Sequence, residues 1–214
     1  MSSGPVVLGL GNPLLDISVD VANLDLCTKY SLKMGNAILA DDSHKPLYTE
    51  LVDTFKDKVL YIAGGATQNS IRVAQWMSNT PGFSAYIGAV GNDAFGKQLK
   101  ASAEKDGVQA LYQITDDKPT GTCAVIVHEQ ERSLVANLAA CETLKESYLD
   151  TAEVSAAVNS AKIMYCAGFP LTHAGGAASV VRLGKHCAEN GKIFATNLSA
   201  PFIVQVSIYE YNLK

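Results

Sequence analysis

Residues 84–112 have the sequence SAYIGAVGNDAFGKQLKASAEKDGVQALY, and this stretch decides the fold. Ser84–Val90 is a short, mostly apolar run that predicts a buried strand. Ala94–Asp106 predicts a helix, with Gly107 in position to end it as the C′ residue. Val108–Tyr112 predicts the next strand. A strand, a helix and a strand at this spacing are typical of a parallel sheet covered by helices.

The same alternation extends toward both ends of the chain. The further predicted elements of this part are strand Val6–Leu10, helix Thr67–Met77, a helical region over Lys145–Ala161, strand Ile163–Cys166, helix Ala177–Asn190 and strand Ile193–Asn197. Thr67 is a candidate N-cap for its helix. The fold class predicted is α/β, with a parallel sheet flanked by helices.

Two strand-rich segments, residues 17–63 and 119–140, lack this alternation and predict a separate small sheet that acts as a lid. Their predicted elements are strands Ile17–Val21, Ala37–Ala40 and Val59–Ile62, helix Lys45–Phe55, and a hairpin of Cys123–His128 with Arg132–Leu138. The domain prediction is therefore a large α/β part from residues 1–16, 64–118 and 141–214, and a lid from 17–63 and 119–140. Since the tail Ser207–Lys214 has no clear pattern, we expect the C-terminal part of this fold to be missing.

Composition excludes several classes of protein. The chain has 214 residues, of which 48% are hydrophobic and 18% charged, so wholesale disorder is excluded. Its net charge of −4 and scattered basic residues do not form the face that nucleic-acid binding needs. Five widely spaced cysteines without a Cys-x-x-Cys pair indicate reduced, buried thiols. With no secretory signal and no apolar stretch of membrane-spanning length, we expect a cytoplasmic protein, with the nucleus as an alternative.

The first motif is Gly9-x-Gly11-Asn12-Pro13-Leu14-x-Asp16, which follows the first predicted strand. It is a poor dinucleotide site, because the third glycine is missing and Pro13 disturbs the turn; a phosphate-binding P-loop is absent from the sequence as well. A carboxylate here can accept two hydrogen bonds from a vicinal diol such as that of ribose. Asp16 is thus either a diol ligand or a turn residue.

Two other segments carry candidate chemistry. Gly64–Asn69 lies between a strand and a helix, where paired glycines let the backbone approach a ligand and Asn69 can bond a hydroxyl; the alternative is a bend with a helix cap. The predicted hairpin has small and aliphatic residues suited to covering a flat apolar ring. Near its tip, Arg132 is either a ligand for a transferred phosphate or a solvated arginine.

Six runs together resemble the adenosine kinases of the ribokinase-type carbohydrate kinase family. The resemblance covers residues 6–206, and its Asn-Pro-Leu-Leu-Asp run and Trp76 helix favour adenosine kinases over ribokinases and fructokinases. The runs are Gly11–Ile17, Gly64–Ser70, Val73–Met77, Pro119–Ala124, Ser133–Ala140 and Asn197–Phe202.

The resemblance implies a set of nucleoside-binding residues. Asp16 would hold the ribose 2′- and 3′-hydroxyls, Gly64, Gly65 and Asn69 would lie on the ribose side, and Asn12 would lie close to the nucleoside. Arg132 would lie near the phosphates. The walls of the purine pocket would be Leu14, Leu39, Cys123, Leu134, Ala136, Leu138, Phe169 and Phe202. Any one of these could instead be ordinary core.

Three positions depart from the family pattern. Pro170 replaces a second aromatic residue, Ala66 replaces a serine and Ala37 replaces a glutamine. We expect these departures to alter or weaken purine binding without abolishing it.

The activity implied by the resemblance is phosphorylation of adenosine at the 5′-hydroxyl by ATP, with Mg²⁺ accompanying ATP, to give AMP in a monomeric enzyme. The family's Asn-x-x-Glu and Gly-Ala-Gly-Asp motifs, the latter with the general-base aspartate, do not occur in these 214 residues. Asp93 is interpreted as structural. We therefore expect no catalytic residue in this chain and no turnover by it alone. The alternative function is a truncated, non-catalytic nucleoside-binding variant.

Overall fold

The computed structural model describes residues 4–204, so the tail Ser207–Lys214 lies outside the described residues. Residues 4–204 contain ten strands: β1 Val7–Leu10, β2 Leu14–Asp20, β3 Ala37–Leu39, β4 Leu60–Gly64, β5 Ser84–Gly91, β6 Gln109–Thr115, β7 Thr122–His128, β8 Glu131–Asn137, β9 Ile163–Cys166 and β10 Ile193–Thr196. The α-helices among them are α1 Asp25–Lys29, α2 Lys45–Phe55, α3 Ala66–Ser78, α4 Ala94–Lys105, α5 Ala152–Ser160 and α6 Ala174–Glu189, and residues 201–204 are helical as well.

The first sheet has the order β10-β9-β1-β5-β6, and all of its neighbouring strands are parallel. Every residue of β5 is buried, as expected of a central strand with both faces covered. Residues of α5 and α6 pack on one apolar cluster of this sheet, and residues of α3 and α4 pack on another. The predicted α/β class is confirmed.

The second sheet has the order β3-β8-β7-β2-β4, and it contains the predicted hairpin as β7 and β8. Strand β2 pairs parallel with β7 and antiparallel with β4. It begins at Leu14, earlier than predicted, so Asp16 lies within a strand and its interpretation as a turn residue is wrong. The residue boundaries of the two parts remain a prediction.

The predicted helical region 145–161 is confirmed as two pieces, a 3₁₀ helix over Glu146–Asp150 and α5, with Thr151 extended between them. Two local predictions were wrong. Thr67 is not an N-cap, because it lies inside α3 and its hydroxyl accepts a hydrogen bond from the Ala167 N–H. Helix α6 begins three residues early, since the His173 side chain accepts the Gly176 N–H and caps it.

Within residues 4–204, no helix is long and apolar enough to cross a bilayer.

Asp93 is a structural link, in agreement with its interpretation from the sequence. It caps α4 by accepting the Gly96 N–H at 2.8 Å, and it accepts the N–H and hydroxyl of Thr120, each at 2.7 Å. These contacts join the start of α4 to the segment that leads into β7. Burial acts to raise the pKa of Asp93, but the hydrogen bonds from Thr120 and Gly96 outweigh it, and the net pKa is lowered.

Asp93→Ala is expected to lower the free energy of unfolding by about 2–4 kcal/mol, since it removes a helix cap and two charge-assisted hydrogen bonds. Urea denaturation at pH 7 measures the loss. Because the folded-state pKa is depressed, this contribution is present above the unfolded-state pKa and is lost as the pH falls through the folded value. Asp117→Ala, an exposed aspartate nearby, is the control; equal effects of the two substitutions would contradict the structural role.

Candidate functional site

A cavity of about 300 Å³ lies between the carboxyl ends of strands β1 and β9 and the second sheet. In open α/β sheets this is the edge where ligands bind. The cavity is lined by Asn12, Leu14, Asp16, Ala37, Ile38, Gly65, Ala66, Thr67, Asn69, Cys123, Arg132, Leu134, Ala136, Leu138, Ala167, Phe169, Pro170, Asn197 and Ser199.

Most of the residues singled out in the sequence are brought together here, but three of them are not in the lining. The Phe202 ring contacts the Phe169 ring, with ring centroids 6.0 Å apart and planes at 71°, in an edge-on arrangement. Leu39 packs against the apolar cluster that contains Leu14 and Cys123. Gly64 lies against the Asp16 carboxylate, where a Cβ would collide with it. Each of these three residues therefore lies next to a lining residue.

Five lining residues were not singled out as site residues: Ile38, Thr67, Ala167, Asn197 and Ser199. Ala167 directly follows β9, so the rule that ligands bind beyond the carboxyl ends of strands could have found it. The three positions that depart from the family pattern, Ala37, Ala66 and Pro170, all line the cavity as well.

Among the described residues that line the cavity, Asp16 is the only carboxylate and Arg132 is the only cation. Within residues 4–204, no hydrogen bond to the Asp16 carboxylate is found. Burial raises the pKa of Asp16 to about 6, while the Arg132 guanidinium acts in the opposite direction. At neutral pH the group is therefore mostly an unpartnered anion with both oxygens free to accept. A ligand that supplies two hydroxyl donors can pair both oxygens.

The turn over residues 64–65 needs glycine at both positions. Gly65 has φ of +98°, and a Cβ there would collide with the carbonyl oxygen of Asn12. Two hydrogen bonds of the buried Gln68 side chain stabilise the turn. Gln68 Nε2 donates to the Gly64 carbonyl at 3.1 Å, and the Tyr112 hydroxyl donates to Gln68 Oε1. The backbone can thus approach a ligand beside Asp16 without shifting.

The opposite wall is fixed by hydrogen bonds at the start of the segment that carries Phe169. The Gly168 N–H donates to Ser199 Oγ at 2.7 Å and to Asn197 Oδ1 at 3.2 Å. Asn197 Nδ2 donates to the Tyr165 hydroxyl at 2.9 Å. The loop after β10 therefore sets the position of the Phe169 ring at the edge of the cavity.

The third wall comes from the second sheet and is apolar. Leu14, Cys123, Ala136 and Leu138 are buried in one cluster with Leu134 packed against it. Burial raises the pKa of the Cys123 thiol far above its usual range, so it is a neutral wall group. A cavity with one carboxylate and one apolar wall suits a ligand that joins a hydroxylated group to an apolar ring.

No group of three or more His, Cys, Asp or Glu side chains that could hold a metal ion is found within residues 4–204.

Known proteins resemble this chain in both sequence and fold. The family model described as pfkB family carbohydrate kinase matches residues 25–211. Adenosine kinase 2 of Arabidopsis thaliana is 48% identical over 200 residues, which are 94% of this chain and 56% of that relative. The chain thus spans little more than half the length of the curated relatives it matches.

Two solved structures are similar throughout the described fold. Anopheles gambiae adenosine kinase in complex with P1,P4-di(adenosine-5) tetraphosphate is 41% identical with a TM-score of 0.90, covering 98% of this chain and 63% of that one. Schistosoma mansoni adenosine kinase in complex with 2-fluoroadenosine is 37% identical with a TM-score of 0.90, covering 99% and 60%. On the match of the family model to most of its length, this chain belongs to the pfkB family of carbohydrate kinases.

Proposed function

We propose that this protein is an adenosine kinase, which transfers the γ-phosphoryl group of ATP to the 5′-hydroxyl of adenosine. The observation that carries the proposal is the partly buried Asp16 carboxylate, which has no hydrogen-bond partner within residues 4–204 and lines a cavity that also has an apolar wall. Relatives and structural neighbours named as adenosine kinases, one of them with 2-fluoroadenosine bound, support the same nucleoside.

In this proposal Asp16 accepts the 2′- and 3′-hydroxyls of the ribose. Asn69 and the backbone at Gly65 border the ribose end, while Leu134, Ala136 and Phe169 lie around the adenine. A carboxylate that accepts two hydroxyl donors recovers the solvation it lost on burial, which orients the sugar as well as binding it. Arg132, exposed at the rim on β8, is placed to meet negative charge from ATP. Mg²⁺ enters the proposal only with ATP, as the ion that neutralises its phosphates.

Binding without transfer is the second candidate function for these 214 residues. One observation favours it: among the described residues, the cavity is lined by a single carboxylate, that of Asp16. In the proposal above, this carboxylate binds the ribose diol. A general base for the 5′-hydroxyl would have to be a different group. We therefore expect the 214-residue chain, assayed as it stands, to bind adenosine without forming AMP.

Calorimetric titration with adenosine, 2′-deoxyadenosine and 3′-deoxyadenosine tests the binding site. Each deoxy analogue removes one donor to a charged acceptor and is expected to bind about tenfold more weakly or worse. Equal binding of all three would contradict the role of Asp16. AMP formation from ATP and adenosine by the complete gene product, followed by chromatography, tests the transfer; adenosine binding without AMP would favour the second candidate.

A further inference from the structure

His173 lies immediately before α6, and its ring joins the start of that helix to the cavity. Nδ1 lies 3.1 Å from the Gly176 backbone N–H, and Nε2 lies 3.1 Å from Asn12 Oδ1, a residue 161 positions away in the chain. The His173 ring packs against Gly176, where a larger residue would not fit: a Cβ at that position would lie 2.5 Å from the His173 Cε1.

The proton on this ring can be assigned from its partners. A backbone N–H can only donate, so Nδ1 must accept and carries no proton. The neutral ring then has its proton on Nε2. Burial lowers the pKa of His173, with Glu142 acting in the opposite direction, so the ring is neutral at pH 7. Nε2 is therefore a donor, and the atom of Asn12 that faces it must be the amide oxygen.

This assignment determines where the other half of the Asn12 amide points. With Oδ1 held by His173, Nδ2 is turned away from the ring. Asn12 lines the cavity and is only 7% exposed, and within residues 4–204 its Nδ2 is buried without a hydrogen-bond partner. A buried donor left unpaired costs free energy, and a ligand that offers an acceptor recovers it.

We propose that His173 is a positioning residue, which locks the Asn12 amide with its NH₂ group available as a donor to an oxygen of the bound nucleoside. The inference rests on the proposed function for the identity of the ligand. Without His173, the amide of Asn12 is free to rotate and to present its oxygen instead, which repels a ligand acceptor. His173 itself touches no ligand, so its effect passes entirely through Asn12.

A thermodynamic cycle on adenosine binding tests this coupling. His173→Asn keeps a good N-cap acceptor for α6, but its side chain is too short to reach Asn12 Oδ1. We expect it to raise the Kd for adenosine about fivefold, and Asn12→Ala to raise it about fivefold to tenfold. In the Asn12→Ala background, His173→Asn should change the Kd less than about twofold, because the group through which it acts is gone.

Stability separates a positioning role from a merely structural one. His173→Asn should leave the urea midpoint of unfolding near that of the wild type, while the Kd rises. The inference is overturned if His173→Asn binds adenosine as the wild type does, or if the effects of the two substitutions multiply in the double variant.

The position of the proton on the His173 ring can also be measured without a ligand. This measurement tests the inference even if the wild type binds no adenosine, and that lack of binding would contradict only the proposed function. Two-bond ¹⁵N–¹H correlation spectra of the protein report the tautomer of each histidine. The resonance that disappears in His173→Asn should show a protonated Nε2 and an unprotonated Nδ1 at pH 7. A ring protonated on Nδ1 would overturn the assignment from which the Asn12 orientation follows.

Discussion

Asp16→Asn is expected to weaken adenosine binding about 100-fold and, at the same time, to make the unliganded protein more stable at pH 7. The loss of affinity follows from two hydrogen bonds to a charged acceptor, each contributing about 1.5–3 kcal/mol. Asparagine is uncharged and retains only one acceptor oxygen, so it accepts from one hydroxyl of the diol and both contacts lose their charge assistance. Calorimetric titration with adenosine measures the difference.

The gain in stability follows from the raised pKa of Asp16, which burial moves from 3.8 to about 6. Between those two pH values the folded state binds more protons than the unfolded state, so the free energy of unfolding falls as the pH rises. Above pH 6 the folded protein carries the whole cost of a buried charge, about 1–3 kcal/mol. The asparagine variant has no such cost and should lose this part of the pH dependence.

Asp20→Asn provides the matched control, because Asp20 is an exposed carboxylate at the end of the same strand. It should leave the affinity for adenosine at the wild-type value. Urea denaturation of the three proteins between pH 4 and pH 7 compares their stabilities. If Asp16→Asn binds adenosine within threefold of the wild type, the diol role assigned to this carboxylate is wrong.

Gly65→Ala is expected to lower the melting temperature by about 10 °C and to abolish detectable adenosine binding. The substitution forces a side chain onto a backbone with φ of +98° and drives its Cβ into the carbonyl oxygen of Asn12. Together these effects cost about 3–4 kcal/mol, and a protein of this size loses about 2–4 °C for each kcal/mol. Relief of the collision moves Asn12 or the start of α3, and both border the cavity.

Gly82→Ala separates the two causes, because Gly82 has a similar φ of +70° but a Cβ there would meet no atom of residues 4–204 within 4 Å. This variant has only the conformational cost, about 1 kcal/mol, and should melt about 3 °C below the wild type. Differential scanning calorimetry measures both shifts. A Gly65→Ala protein that melts like Gly82→Ala and still binds adenosine would show that the close approach to Asn12 is unimportant.

The sequence by itself determined the elements whose signal is local. Helix α2 over Lys45–Phe55 and strand β9 over Ile163–Cys166 were predicted with their observed bounds, and α4 was predicted one residue too long. Apolar periodicity and end signals act over a few residues, so they are visible without the rest of the fold. The separation of two sheets was visible for the same reason, since the strand-rich segments interrupt the alternation.

Only the tertiary structure decided how the site is supported. Thr67 accepts the Ala167 N–H across 100 positions, the Phe202 ring contacts that of Phe169, and His173 bonds Asn12 across 161 positions. Each of these contacts depends on which side chains the two sheets and their loops bring together. Local sequence patterns do not predict such long-range contacts. The sequence placed an acid and a glycine pair at the ends of strands. The partial burial of Asp16, and its lack of a hydrogen-bond partner among residues 4–204, follow from tertiary packing, because burial depends on the neighbours that the fold supplies.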